Sequence, residues 1–197
     1  MVVWGVTQKP LNLVHGDYTR TDAWRRLRSL ATVPSWDKAR NCAPQLLSSE
    51  VEDIMANKRF MIVNVWRNTD SQNALKQQPL ACLDCQSVGG DEVFDWVPPT
   101  GDFSVYDGFV DHPENFVAGQ LCLRHRDEHK WFYYPEMTSS EALLFKTFDS
   151  AADAGPGRPR ACFHTAITDP STKPDDPERH SCEARVLVIM PAIDATR

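Results

Sequence analysis

The sequence has no apolar run of membrane-spanning length, no surplus of basic residues, no cysteine framework and no internal repeat. Each absence removes a class of protein. A transmembrane helix needs about 20 consecutive apolar residues. The opening Met1-Val2-Val3-Trp4-Gly5-Val6 is too short for a signal-peptide core and lacks its basic start. A soluble, cytoplasmic protein with no membrane partner is therefore expected. Lys and Arg number 21 against 27 Asp and Glu, a net charge of −6. Nucleic-acid binders usually carry a basic footprint, so none is expected as partner. The cluster Arg25-Arg26-Leu27-Arg28 reads as the solvated face of a helix. Six cysteines, at 42, 82, 85, 122, 162 and 182, are a thin scatter for this length. Cys82 and Cys85, with Cys122 and His125, imitate a zinc site. Strand-like residues flank the pair, however, and the cysteines read as small buried hydrophobes.

What is present suits one domain, residues 1–197, with a sizeable core. Short strands are expected at 2–6 and 11–15. A helix capped by Thr21-Asp22 should run to about Leu30, and a second should start at Ser48-Ser49-Glu50. Arg59 to Arg67 is a long β-rich run and reads as a central strand. Further strands are expected at 79–86, 93–97, 103–106 and 160–165. A hairpin should join 119–124 to 130–134 across Asp127-Glu128-His129. Thr138-Ser139-Ser140-Glu141 resembles a capping box, which predicts a helix over 140–149. The final strand, 180–190, puts Cys182, Ala184, Val186, Val188 and Met190 on one face. Ser181, Glu183 and Arg185 fall on the other, in phase with Arg179. Many short strands with a few outer helices predict a mainly β double-stranded β-helix, a cupin-like jelly roll.

Chemistry concentrates in Leu13-Val14-His15-Gly16-Asp17-Tyr18-Thr19. Residues i and i+2 of a strand share a face, so a strand end can aim His15 and Asp17 at one point. Gly16 leaves the far side uncrowded. A third ligand is needed, and His164 is the candidate. A face of two histidines and one carboxylate with open positions suits iron(II). Fifteen residues beyond His164 comes Arg179-His180-Ser181. An arginine fork with a nearby hydroxyl is a good receptor for a carboxylate co-substrate. Arg67 ends the central strand and can touch an acidic substrate or pair structurally. Trp66, Trp131, Tyr133 and Tyr134 can line a pocket or fill the core. His112, His125 and His129 lie among acidic, loop-like residues and read as solvated.

The ordered series His-x-Asp, distant His, then Arg-x-Ser resembles the iron(II)/2-oxoglutarate-dependent oxygenases. Val63-Asn64-Val65-Trp66-Arg67, Pro79-Leu80-Ala81, Trp131-Phe132-Tyr133-Tyr134-Pro135-Glu136-Met137, His164-Thr165-Ala166 and the run from Arg179 to Val188 sharpen the resemblance. Together they are similar to the fungal hydroxylase/desaturase family of the gibberellin desaturase and aspergillic-acid hydroxylase type. That resemblance implies a jelly roll, Fe(II) and 2-oxoglutarate. It implies His15, Asp17 and His164 as catalytic metal ligands, with Arg179 and Ser181 holding the co-substrate carboxylate and Arg185 as a second candidate. Trp66, Arg67 and Tyr134 are the substrate-side candidates. Members of that family carry a long stretch before His-x-Asp, whereas fourteen residues precede it here. Some barrel strands and a substrate wall are therefore expected to be missing.

The expected activity is hydroxylation, desaturation or oxidative cyclisation of a small molecule with oxygen, in secondary metabolism. A truncated, non-catalytic jelly roll that binds a metal or small ligand is the alternative. A homo-oligomer is compatible with either.

Overall fold

The computed structural model describes residues 10–32, 45–96, 119–151 and 161–192. The strands expected at 2–6 and 103–106 lie outside these residues. In chain order the elements are β1 (His15–Gly16), α1 (Arg20–Ser29), α2 (Ser48–Asn57), β2 (Lys58–Asn68), β3 (Leu80–Leu83), β4 (Val93–Trp96), β5 (Gln120–Leu123), β6 (Trp131–Tyr133), β7 (Leu143–Asp149), β8 (His164–Ala166) and β9 (Ser181–Pro191). Two antiparallel sheets form a jelly roll. One has the order β4-β5-β1-β8-β3-β6 and the other β7-β2-β9.

β2 is the centre of the smaller sheet, as its β-rich sequence requires. Its even residues, Phe60, Ile62, Asn64, Trp66 and Asn68, are buried, and its odd residues are not. β9 lies beside it in unbroken register, with Leu187 opposite Ile62 and Arg185 opposite Asn64. The odd residues of β9 therefore share the inner face. No described helix packs on its even face, where Val186 is 40% exposed.

The helix expected at 140–149 is instead the strand β7. The box residues do bond, since Glu141 Oε2 accepts from Thr138 N at 2.7 Å and Thr138 Oγ1 at 2.8 Å. They close a turn, and β2 then offers a long apolar edge that a lone helix could not match. The register of β7 shifts between Ile62 and Val63, leaving Thr147 as an extra residue. That bulge reverses the strand's parity. Phe145 and Phe148, of opposite parity, both end up buried.

The described helices α1 and α2 stand at one end of the barrel. Ala23 and Leu27 of α1 and Val51 and Ile54 of α2 cluster with Phe60, Ile62 and Phe148 on the inner face, closing one end. α1 begins earlier than its sequence predicts. Thr19 caps it, accepting from Asp22 N at 3.2 Å. The helix thus starts directly after the His15–Asp17 segment.

The expected hairpin between β5 and β6 does not form. β5 pairs with β4 and β1, while β6 pairs with β3 at the far edge. The strand over 79–86 is also shorter, ending at Leu83 before a 3-10 turn at Cys85–Ser87. His129 is not solvated. Its Nε2 lies 2.8 Å from Glu92 Oε2, and both side chains are buried. Glu92 also accepts from Arg126 Nε at 2.7 Å and Gly89 N at 3.0 Å, which fastens β4 to the turn before β6. His125 is exposed. No described helix is long and apolar enough to cross a membrane.

Candidate metal centre

β1 and β8 are neighbours in the larger sheet, and His15 stands directly opposite His164. Their rings lie 4.5 Å apart at the centroids. Gly16 has Leu121 as its register partner. A Cβ added at residue 16 would stand 3.2 Å from Leu121 Cβ and 3.5 Å from Ala161 Cβ. A side chain there would push β1 away from its neighbours and shift both flanking ligands.

Among the described residues, His15, Asp17 and His164 bring one ligand atom each to within 4.8 Å of one another. Asp17 Oδ1 lies 3.7 Å from His15 Nε2 and 3.9 Å from His164 Nε2. Both imidazoles are held alike. His15 Nδ1 lies 2.8 Å from Leu13 O, and His164 Nδ1 lies 3.1 Å from Cys162 O. A carbonyl only accepts, so Nδ1 carries the proton and Nε2 presents its lone pair to Asp17. The Phe145 ring, 4.7 Å from that of His164, packs against its flank.

Asp17 is nearly buried, with 6% of its side chain exposed. Asn64 Nδ2 donates to Oδ2 at 2.7 Å and Arg185 Nη2 to Oδ1 at 3.1 Å. Burial alone would raise its pKa. Arg185, then the two histidines and the Asn64 bond, overrule this and hold it at about 2. The carboxylate is ready to ligate. Burial, followed by the neighbouring His164, lowers the pKa of His15, which favours the neutral ring a metal requires. Burial, then Asp17, raises that of Glu183. Two imidazole nitrogens and one ionised carboxylate oxygen on one face fit iron(II) with open positions. Cys82 and Cys85 do not join Cys122 and His125 in any such group among the described residues.

Arg179 lies over the Trp66 ring, 5.0 Å from guanidinium carbon to centroid. Its Nε donates to Ser181 Oγ and its Nη1 to Gln78 O, each at 2.9 Å. No described carboxylate pairs with it, and burial lowers its pKa to about 10, with Glu183 opposing from a distance. Arg185 donates from each of its three nitrogens, to Asp17, to Tyr18 Oη at 3.2 Å and to Glu183 Oε1 at 3.2 Å.

The substrate-side candidates fare differently. Trp66 is buried among Leu75, Leu80, Met137 and Phe145, where its face supports Arg179. Arg67 is on the outer face of β2 and exposed, because the strand alternates. It donates to Ser139 O and, at 3.4 Å, to Asn68 O, so it ties down the turn before β7. Tyr134 is 62% exposed, at the rim of a groove shared with Phe132, Leu144 and Phe145.

Asn64, Tyr18 and Thr147 were not anticipated. Asn64 had a signal, since a polar residue sits in the apolar face of a central strand and must find a buried partner. Thr147 had none, as its role depends on the bulge.

Over residues 5–189 the chain matches the family described as the oxidoreductase/YMDC permease-like domain. It is 32% identical to the hydroxylase/desaturase efuI of Hormonema carpetanum, over 73% of this chain and 45% of that protein. It is 31% identical to the hydroxylase/desaturase asaB of Aspergillus flavus, over 79% of this chain and 66% of that protein. With the hydroxylase/desaturase CTB9 of Cercospora beticola the figures are 30%, 92% and 48%. The chain thus spans about half to two thirds of the length of these relatives. Among solved structures, the iron and alpha-ketoglutarate-dependent endoperoxidase NvfI superposes with a TM-score of 0.66. The two share 19% identity over 96% of this chain and 57% of that one, a likeness of fold.

Proposed function

The chain belongs to the oxidoreductase/YMDC permease-like family, and we propose that it is an iron(II)- and 2-oxoglutarate-dependent oxidoreductase acting on a small molecule of secondary metabolism. The observation that carries this reading is the convergence of His15 Nε2, His164 Nε2 and Asp17 Oδ1, with both imidazole lone pairs released by backbone bonds at Nδ1. Hydroxylation, desaturation and oxidative cyclisation are the outcomes this chemistry allows.

His15, Asp17 and His164 would hold the metal, and Arg179 with Ser181 the distal carboxylate of 2-oxoglutarate. Bound iron, with 2-oxoglutarate and oxygen, supplies the oxidising power to remove hydrogen from an unactivated C–H bond. The chain's own residues do the rest. His15 and His164 keep their protons on Nδ1, away from the metal. Asn64 and Arg185 hold the Asp17 carboxylate ionised. Trp66 stands two residues from Asn64 on the same inner face, about 7 Å along the strand. That spacing is comparable to the length of a five-carbon diacid, so a molecule anchored at Arg179 can reach the triad. Arg179, lacking a carboxylate among the described residues, is the better receptor than Arg185, which already pairs with two carboxylates.

A cytoplasmic setting fits the five described cysteines, which are all free. The acidic net charge fits small molecules rather than nucleic acid as partners. The test is succinate release from 2-oxoglutarate with added iron(II) under oxygen. The reading predicts release that needs all three and disappears in Asp17→Ala. Iron-independent release, or equal release by Asp17→Ala, would refute it.

A further inference from the structure

Asp17 is held by two side chains that leave one sheet side by side, since Asn64 of β2 and Arg185 of β9 are direct register partners. They take different oxygens. Asn64 Nδ2 donates to Oδ2 at 2.7 Å. Arg185 Nη2 donates to Oδ1 at 3.1 Å, and Oδ1 is the oxygen that faces both histidine Nε2 atoms. The guanidinium therefore sits on the oxygen a metal would use, while the amide leaves that oxygen free. The Arg185 side chain is 45% exposed and lies over the Tyr18 ring, 5.4 Å from carbon to centroid. It has solvent to move into.

We propose that Arg185 is a positioning residue that ties metal loading to the arrival of the anionic co-substrate, an inference that rests on the iron and 2-oxoglutarate reading above. Charge carries the argument. A divalent cation among the carboxylates of Asp17 and Glu183 and the guanidiniums of Arg179 and Arg185 leaves a surplus of positive charge in a confined site. The two carboxylates of 2-oxoglutarate cancel it. A metal arriving alone must displace Arg185 from Oδ1 or face it across that atom. A metal arriving with the dianion meets a balanced site. Asn64 carries no charge, so it fixes the carboxylate without opposing the cation. The two partners of Asp17 thus have opposite effects on metal affinity, and that opposition is not what a purely structural role for Arg185 would give.

The experiment is calorimetric titration of Co2+ into the protein with and without 2-oxoglutarate, for wild type, R185Q, R185K and D17A. R185Q should bind Co2+ alone about 10–100-fold more tightly than wild type, because it removes a positive charge that repels the cation across a few ångströms. 2-Oxoglutarate should then add correspondingly less to its Co2+ affinity, because coupling between two ligands is reciprocal. R185K keeps the charge and should keep the weaker affinity. R185M repeats the loss of charge with the stem over Tyr18 retained, should R185Q not fold. If the uncharged variants bind Co2+ no more tightly than wild type, or R185K behaves as R185Q does, the inference is overturned while the metal reading stands. If wild type and D17A take up Co2+ equally, the metal reading fails and takes the inference with it.

Discussion

Replacing Asn64 with leucine keeps the bulk of a fully buried side chain and removes its amide. Asp17 and Thr147 feel the loss unequally. Thr147 Oγ1 lies 3.5 Å from Asn64 Oδ1, at the limit of a hydrogen bond, and has Ile62 O at 3.3 Å as a second acceptor. It loses little. Asp17 loses a 2.7 Å bond to an ionised, buried oxygen. Bonds of that kind contribute about 1.5–3 kcal/mol. For a domain of this size each kcal/mol shifts Tm by about 2–4 °C, so N64L should melt about 3–12 °C lower. The remaining partner of Asp17 is Arg185, on the metal-facing oxygen. The freed carboxylate turns toward it, and Co2+ affinity should fall about 10–100-fold. Calorimetric Co2+ titration with thermal unfolding by circular dichroism measures both. T147V, which removes the Thr147 hydroxyl but leaves the Asn64 bond to Asp17 in place, should leave Co2+ affinity almost unchanged. An N64L protein that melts with wild type and binds Co2+ equally well would refute this account of Asp17.

Alanine at His15, Asp17 or His164 should abolish Co2+ binding while circular dichroism still reports a folded sheet; retained binding in H164A would remove that residue from the ligand set. R179A should weaken 2-oxoglutarate binding by roughly tenfold to several hundredfold and leave metal binding intact, with R179K restoring only part, because an ammonium lacks the planar pair of donors. Unchanged 2-oxoglutarate affinity in R179A would move the receptor elsewhere. Asp149 is fully buried; burial raises its pKa, but bonds from Arg59 at 2.9 and 2.6 Å and Lys146 at 2.9 Å bring it down to about 2. A depressed carboxylate stabilises the fold above its unfolded pKa of 3.8 and loses that contribution as pH falls through about 2. The contribution is about 2 kcal/mol, so urea midpoints of wild type should fall more steeply than those of D149N between pH 4 and pH 2. Parallel slopes would contradict it.

The sequence spoke clearly where a pattern is local. β2 and β9 announce themselves by β-branched and alternating residues, and α2 by Ser48-Ser49-Glu50, whose Glu50 reaches back to Leu47 N at 2.7 Å. The triad was legible because His-x-Asp and the distant His occur in order, though their meeting depends on β1 lying beside β8. Where partners are remote, local pattern misled. Thr138 and Glu141 bond as a capping box does, yet the conformation of residues 143–149 is decided by the open edge of β2, far earlier in the chain. β5 and β6 look like a hairpin because only a short polar stretch joins them, but β1, β8 and β3 come between. The bulge at Thr147 depends on a register that no residue near it encodes alone.

The two histidines are oriented by main-chain carbonyls, each two residues upstream. In many metal sites a carboxylate side chain has that task. A side chain can be lost by one substitution, whereas a carbonyl persists whatever residue carries it. Leu13 and Cys162 can therefore vary without disturbing which nitrogen faces Asp17, provided the backbone keeps its course. The side chains around the centre are left free to diversify, and one frame of two imidazoles and a carboxylate can persist while its surroundings change.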